Sequence, residues 1–310
     1  MQRIIIDTDA GVDDALALLY ALHRPETRIE AITVVHGNVP LPQAIRNVAE
    51  ILHASGAQVS FPVSAGADRP LYGEAVNAKE VHGDDGLGGW TVGRPVAQLA
   101  LSATPAHRLI TELARQYPHE ITLITIGPLT NAALAVREDP AGSRLLKEIV
   151  VMGGAISEPG NITAVAEFNI YADPQAAREV LRSGIHPLLV GLDVTHKATL
   201  TRQRLDAELG DRPADFLRCV CERMFAFYRS IGGEDFFHLH DPLAVAIALD
   251  RSLVQTRSMA VDVETSGELT RGMTVADQRV WKHAEANAHL AVTVDQERFL
   301  SEFCNLALQD

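Results

Sequence analysis

Four carboxylates fall within eight residues near the start of the chain, in the run Ile4-Ile5-Ile6-Asp7-Thr8-Asp9-Ala10-Gly11-Val12-Asp13-Asp14. Carboxylates this close repel one another and raise each other's pKa unless a positive charge sits among them. An all-oxygen acidic cluster is the ligand set that hard cations such as Ca²⁺ and Mg²⁺ prefer, so the spacing points to chemistry that begins at a metal. Part of the cluster has a simpler use. Asp13 and Asp14 fall where a helix would begin, and a carboxylate there gains roughly 0.3–1 kcal/mol from free N–H groups and the helix dipole. Capping does not account for Asp7 and Asp9, which end a strand on the same side of the pleat.

Further polar groups recur after apolar runs. Asn161, Glu167, Phe168 and Asn169 combine amides, a carboxylate and one aromatic ring in a single loop. That mixture suits a polyhydroxylated ligand, because each sugar hydroxyl both donates and accepts; the competing reading is an Asn-rich turn ahead of a helix capped by Asp173-Pro174. His238-Leu239-His240-Asp241-Pro242 carries a helix-start signal in Asp241-Pro242. His240 is a candidate general acid there, since a neighbouring anion favours its protonated form. The segment from His82 to Trp90 holds four glycines, a composition that fits a lid closing over substrate or a plain surface loop. The first strand–helix turn has neither a dinucleotide fingerprint nor a Walker loop, which points to an uncharged ligand.

These residues need elements to carry them. Apolar, β-branched runs at 4–6, 29–35, 121–126, 149–151 and 187–190 alternate with helical-period segments at 13–22, 42–54, 131–136 and 174–182. This is the rhythm of an α/β fold with a single open, mostly parallel, Rossmann-like sheet flanked by helices on both faces. From 201 to 249 the pattern turns helical, with one long helix at 213–230. Short strands are expected at 259–263, 273–275 and 289–294 before a closing helix at 296–308. No linker or repeat divides the chain, so residues 1–310 read as one domain. In open parallel sheets ligands bind at the carboxyl ends of strands. Asp7 and Asp9, His36-Gly37-Asn38, Gly127 to Asn131 and Met152-Gly153-Gly154 all fall at such ends.

Composition bounds the partners. A net charge of −13 over 310 residues argues against nucleic acid or an anionic membrane surface. No apolar run approaches a bilayer span and no signal segment opens the chain, so a cytoplasmic protein is expected. Cys219, Cys221 and Cys304 have no metal-finger spacing and read as free thiols.

With these segments set out, the chain resembles the inosine–uridine-preferring nucleoside hydrolases over nearly its whole length. Asp7-Thr-Asp9-Ala-Gly11-Val-Asp13-Asp14 is similar to that family's DxDxGxDD motif, and the Gly-Pro-Leu-Thr-Asn, Met-Gly-Gly, Glu-Phe-Asn and His-Asp-Pro segments follow in its order. The resemblance implies a Ca²⁺ held by Asp9, Asp14, Asp241 and the backbone carbonyl of Ile126, with Asp9 also the general base toward a water on the metal. It implies ribose binding by Asp13, Asn38, Met152, Asn161, Glu167 and Asn169, with Asp7 supporting the cluster from behind. His82, Phe168, Tyr228 and His240 would surround the base, His240 serving as general acid. A ribonucleoside substrate, a homodimer or homotetramer and a role in purine and pyrimidine salvage follow from the same resemblance. Ile126 stands where the family often has Thr, and Met224 where some relatives place a polar or aromatic base contact. Two rival readings accompany this one: a haloacid-dehalogenase-like Mg²⁺ phosphatase with Asp7 as nucleophile, and a non-catalytic, metal-dependent nucleoside-binding protein.

Overall fold

The computed structural model describes residues 1–308 apart from Val96, Pro213, Val280, Lys282 and His283. Its strands are β1 (Gln2–Thr8), β2 (Thr27–Val34), β3 (Val63–Ala65), β4 (Ile121–Thr125), β5 (Glu148–Met152), β6 (Leu188–Val190), β7 (Thr199–Thr201), β8 (Phe236–His238), β9 (Val254–Met259), β10 (Val261–Val263), β11 (Thr274–Ala276) and β12 (Ala288–Val294). The helices are α1 (Val12–Leu22), α2 (Leu41–Ala54), α3 (Lys79–His82), α4 (Ala106–Gln116), α5 (Thr130–Glu138), α6 (Pro140–Ser143), α7 (Phe168–Ala172), α8 (Pro174–Leu181), α9 (Leu192–Thr195), α10 (Arg202–Leu209), α11 (Asp215–Ser230), α12 (His240–Leu249) and α13 (Gln296–Ala307).

Eight strands form one sheet in the order β3-β2-β1-β4-β5-β6-β12-β9, parallel throughout except for the edge strand β9. Alternation along β1 divides the core. Ile4 and Ile6 pack with α1, α2, α11, α12 and α13, whereas Ile5 packs on the other face with α4, α5 and α8. A period of two delivers successive side chains to opposite faces, and both faces of this sheet are covered by helices. The strand order reverses at β1, whose neighbours are β2 on one side and β4 on the other. Such a switch point opens a crevice beyond the carboxyl ends of β1 and β4.

The C-terminal part departs from expectation in two places. The helical stretch expected from 201 to 249 is interrupted by β8, which pairs with β7 as a separate antiparallel ribbon. The strand expected at 259–263 splits into β9 of the main sheet and β10, which pairs with β11. The long helix begins at Asp215, and Pro213 of its expected range lies outside the described residues. Among the described residues no helix is long and apolar enough to cross a membrane.

Candidate active site

The acid cluster is built by one abrupt turn. β1 stops at Thr8, Ala10 takes a left-handed φ of 52°, and α1 begins at Val12. Left-handed backbone costs a residue with a Cβ roughly 1–2 kcal/mol, and here it carries the chain directly from Asp9 beyond β1 to Asp13 and Asp14 at the start of α1. Asp14 accepts from the backbone N–H groups of Ala10 at 3.2 Å and Gly11 at 2.8 Å and from the Thr8 hydroxyl. It therefore has the helix-start role expected of it. Asp9 accepts two hydrogen bonds from Asn38, from the backbone N–H at 2.7 Å and from Nδ2 at 3.0 Å. The same Nδ2 donates to Asp14 at 3.0 Å, so one amide bridges the two carboxylates.

Helix α12 packs across α1 and brings Asp241 to this cluster from more than two hundred residues away. The expected capping role of Asp241 is not what the structure shows: Leu239 holds the cap position and Asp241 lies in the first turn. One oxygen each of Asp13, Asp14 and Asp241 lie within 4.8 Å of one another, and all three residues are buried. Among the described residues no Lys or Arg pairs with any of them or with Asp9; the nearest basic side chain is His82, whose Nδ1 lies 4.0 Å from Asp13. Burial pushes the Asp13 carboxyl up to about 7, with the Asp14 charge adding to it. Asp9 and Asp241 are raised well above the usual range, again first by burial and then by their acidic neighbours. A set of buried oxygens with no cationic side chain is the donor chemistry a hard cation satisfies, and the residues present fit one. Of the expected ligands, Asp14 and Asp241 belong to the converging triplet. Asp13 completes it, while Asp9 sits alongside on Asn38.

Asp7 stays behind the cluster. Its Oδ1 accepts from the Thr33 hydroxyl and from Asn131 Nδ2, its Oδ2 has no partner among the described residues, and burial pushes its carboxyl up to about 7.

The segment after β5 forms the next wall. Glu167 caps α7, accepting from the N–H groups of Asn169 at 2.8 Å and Ile170 at 3.1 Å, and it also accepts from Gly154 N–H. Asn161 Oδ1 accepts from the Phe168 N–H at 2.9 Å. Asn169 Nδ2 donates to the carbonyls of Ile126 at 3.0 Å and Met152 at 3.1 Å, joining the ends of β4 and β5. Asp173 caps α8 through the Ala176 N–H, as its Asp-Pro sequence predicts.

The opposite wall is imidazole and aromatic. His82 ends α3, and its Nδ1 accepts from the Val12 N–H at 3.0 Å. A backbone N–H can only donate, so His82 Nδ1 is unprotonated and its Nε2 carries the proton. Burial pulls its pKa down to about 3. Arg223 on α11 donates to the carbonyls of Val81 at 2.8 Å and Lys79 at 3.3 Å and to that of Glu80, tying α3 in place. The glycine-rich segment, whose composition fits a lid or a surface loop, is packed: Asp85 accepts from the N–H groups of Leu87, Gly89 and Thr91, and Trp90 meets Phe216 edge-on at 5.1 Å. Tyr228 lies near Asp13, and burial with that charge raises its phenol. His240 lies 5.5 Å from His238 and 5.9 Å from His196, ring centre to ring centre. Burial, then these imidazoles, lower its pKa well below the ordinary value, opposite to the effect expected from a neighbouring anion.

A cleft of about 400 Å³ joins the walls, and Asp13, Asn38, His82, Ile126, Met152 and Asn161 line it together with Glu167, Phe168, Asn169, Tyr228, His240 and Asp241. Asp7, Asp9 and Asp14 lie beneath that lining rather than on it. Met224 also reaches the cleft, as do residues outside the expected set, among them Asn77, His196 and Phe227. His196 follows β6 and α9, so the carboxyl-end rule that marked the other segments also marks this one.

The chain matches the family model described as inosine-uridine preferring nucleoside hydrolase over residues 4–301. It is 39% identical to the inosine-uridine preferring nucleoside hydrolase of Crithidia fasciculata over 303 residues, covering 96% of this chain and 95% of the relative. It is 37% identical to the pyrimidine-specific ribonucleoside hydrolase RihA of Salmonella arizonae, again covering 96% and 95%. Among solved structures, the plant nucleoside hydrolase PpNRh1 superimposes with a TM-score of 0.92 at 33% identity, covering 100% of this chain and 99% of that one. The purine-preferring ribonucleoside hydrolase from Gardnerella vaginalis superimposes with a TM-score of 0.90 at 32% identity, covering 99% and 98%.

Proposed function

The chain belongs to the inosine-uridine preferring nucleoside hydrolase family and is a nucleoside N-ribohydrolase, and on that premise we propose Ca²⁺-dependent cleavage of inosine- and uridine-type ribonucleosides to free base and ribose. The observation that carries this reading is the placement of buried acids under one wall of the cleft and imidazoles on the other. Breaking an N-glycosidic bond builds positive charge on the ribose and negative charge on the departing base, so the two halves of the site meet opposite needs.

Asp9, Asp14, Asp241 and the Ile126 carbonyl are the proposed cation ligands, with Asp13 close enough to join them. The cation would screen these carboxylates and act as a Lewis acid toward the ribose hydroxyls and the attacking water. Asp13, Asn38, Asn161, Glu167 and Asn169 hold the ribose, and Met152 lines the floor beneath it. As the C1′–N bond breaks, its electron pair passes to the base nitrogen. A C1′–O bond forms to water, whose proton passes to Asp9, held for that task by its two bonds from Asn38. Phe168 and Tyr228 flank the base, and His240 with His82 stabilises the charge it gains. The reading covers residues 1–310 as one domain and includes a homodimeric or homotetrameric cytoplasmic enzyme of nucleoside salvage.

Family membership displaces the phosphatase alternative, and geometry agrees. The nucleophile would be Asp7, which is fully buried behind the cluster and committed to Thr33 and Asn131. Incubation with inosine, uridine and other ribonucleosides, followed by measurement of free ribose, tests the proposal. Release from inosine and uridine is expected, and its absence with Ca²⁺ supplied would refute the substrate assignment.

A further inference from the structure

The His240 ring is anchored by one hydrogen bond, between its Nδ1 and the hydroxyl oxygen of Thr195 at 2.8 Å. Thr195 closes α9 and is fully buried. Its backbone N–H donates to Gly191 and its carbonyl accepts from Ala198, whereas its hydroxyl has no other partner among the described hydrogen bonds. A threonine hydroxyl carries one proton, and leaving that donor unmet in a buried site is unfavourable. If Nδ1 bore the ring proton, the hydroxyl could only accept, and its own proton would have no acceptor. If the hydroxyl donates, both groups are satisfied and the ring proton sits on Nε2, the nitrogen left to face the cleft.

We infer that Thr195 is a positioning residue that holds His240 as its Nε2–H tautomer, aiming a neutral N–H at the departing base. The inference rests on the assignment of His240 to base activation. It changes what that residue does: a neutral imidazole gives a hydrogen bond to the growing negative charge instead of surrendering a proton. The balance closes without charging either residue. The C1′–N electron pair goes to the base, the attacking water's proton goes to Asp9, and the base anion takes its proton from solvent water. His82 is held in the same sense by the Val12 N–H. The difference is that a backbone N–H cannot reverse its role and a hydroxyl can, so only the His240 anchor can be removed by changing a side chain.

Thr195→Val keeps the shape and removes the donor, and Thr195→Ser restores it. On inosine and uridine, Thr195→Val is expected to lower kcat by about 10- to 100-fold with KM within about threefold, the size of effect a mispositioned donor should have. On p-nitrophenyl riboside, whose leaving group departs without help, the loss should be at least about tenfold smaller, and Thr195→Ser should recover most of the activity. In the wild-type protein, ¹⁵N spectra of labelled histidines, assigned by comparison with His240→Ala, should show His240 protonated at Nε2 alone. A protonated Nδ1 would overturn the inference whether or not the variants fold. So would Thr195→Val kinetics equal to wild type, or equal losses on both substrates, in a background where His240→Ala selectively impairs inosine and uridine. If His240→Ala itself leaves those substrates unaffected, the base-activation role fails, and the tautomer measurement alone then decides what Thr195 does.

Discussion

Gly37 is the position where the smallest possible change should cost the most activity. It precedes Asn38, and a Cβ built on it would lie 1.9 Å from Asp9 Oδ2, 2.7 Å from its Cγ and 2.8 Å from its Cβ. Because even the Asp9 Cβ is too close, rotating the carboxylate away does not relieve the clash, and the side chain must shift as a unit. Reaching ordinary contact at 3.4 Å moves Oδ2 by about 1.5 Å. That shift breaks the hydrogen bonds Asp9 accepts from the Asn38 N–H and Nδ2. Hydrogen bonds to charged groups contribute about 1.5–3 kcal/mol each, so the fold should also lose stability. A misplacement of about 1 Å at a reacting group costs about 10²-fold in rate. For Gly37→Ala we therefore expect kcat on inosine and uridine to fall by about 10²-fold or more. Ribose release measures the rate, and metal analysis of the same sample shows whether the cation is retained. A folded Gly37→Ala protein with its metal bound and kcat within about threefold of wild type would show that Asp9 is not the positioned base.

Three further outcomes follow from the buried charges. Chelation, or Asp14→Ala, should abolish turnover and lower Tm, because cation release leaves Asp13, Asp14 and Asp241 facing one another. Asp13 is raised to about 7 in the fold, so in the metal-free protein the contribution of this carboxyl is most favourable in acid and falls by on the order of 4 kcal/mol as pH rises from its unfolded pKa through 7. The Tm gap between loaded and chelated protein should widen from pH 5 to pH 8, and full activity in metal-free protein would end the metal reading. Asp9→Asn preserves size and removes the proton acceptor, so kcat should fall by at least about 10²-fold; near-normal kcat with metal bound would remove Asp9 from that role. His36 is buried, its Nδ1 has no partner among the described residues, and burial pulls its pKa down to about 4. The unfolded chain binds that proton first, so the stability held above pH 6.5 is lost as pH falls toward 4, on the order of 3 kcal/mol in all. Urea unfolding of wild type against His36→Gln should show a difference that changes across this window, and a constant difference would refute the assignment.

The two walls of the cleft differ in how much of them could be read in the sequence, and the reason is where their residues come from. The acid wall is mostly one strand–helix turn: Asp7, Asp9, Asp13 and Asp14 lie in adjacent register, and the Ile4–Ile6 run that places them has an unambiguous apolar pattern. Asn38 was legible for the same reason, following the strand beside β1, whereas Ile126 was reached only through the family resemblance. The imidazole wall has no such local source. His82, His196, Tyr228 and His240 come from α3, the end of α9, α11 and α12, four elements that meet only through long-range packing. What fixes His82 is a backbone N–H 70 residues away, and what fixes His240 is a hydroxyl 45 residues away; neither partner has a side-chain pattern that betrays it. The ribbon of β7 and β8, which interrupts the expected helical stretch, is part of the same difficulty, since three-residue strands carry too little alternation to register. The division has a chemical consequence. The residues proposed to activate water and hold the ribose are tied to the sheet and to one another, so a change there propagates through shared carboxylates and amides. Those proposed to meet the base come from α3, α7, α11 and α12, and among the described hydrogen bonds none joins Met224, Phe227 or Tyr228 of α11 to Asp9 or Asn38. On this reading base preference can vary over a common set of proposed ribose and metal ligands. That is why the reaction type could be read from a short motif, while the preferred base depends on the packing of helices far apart in the chain.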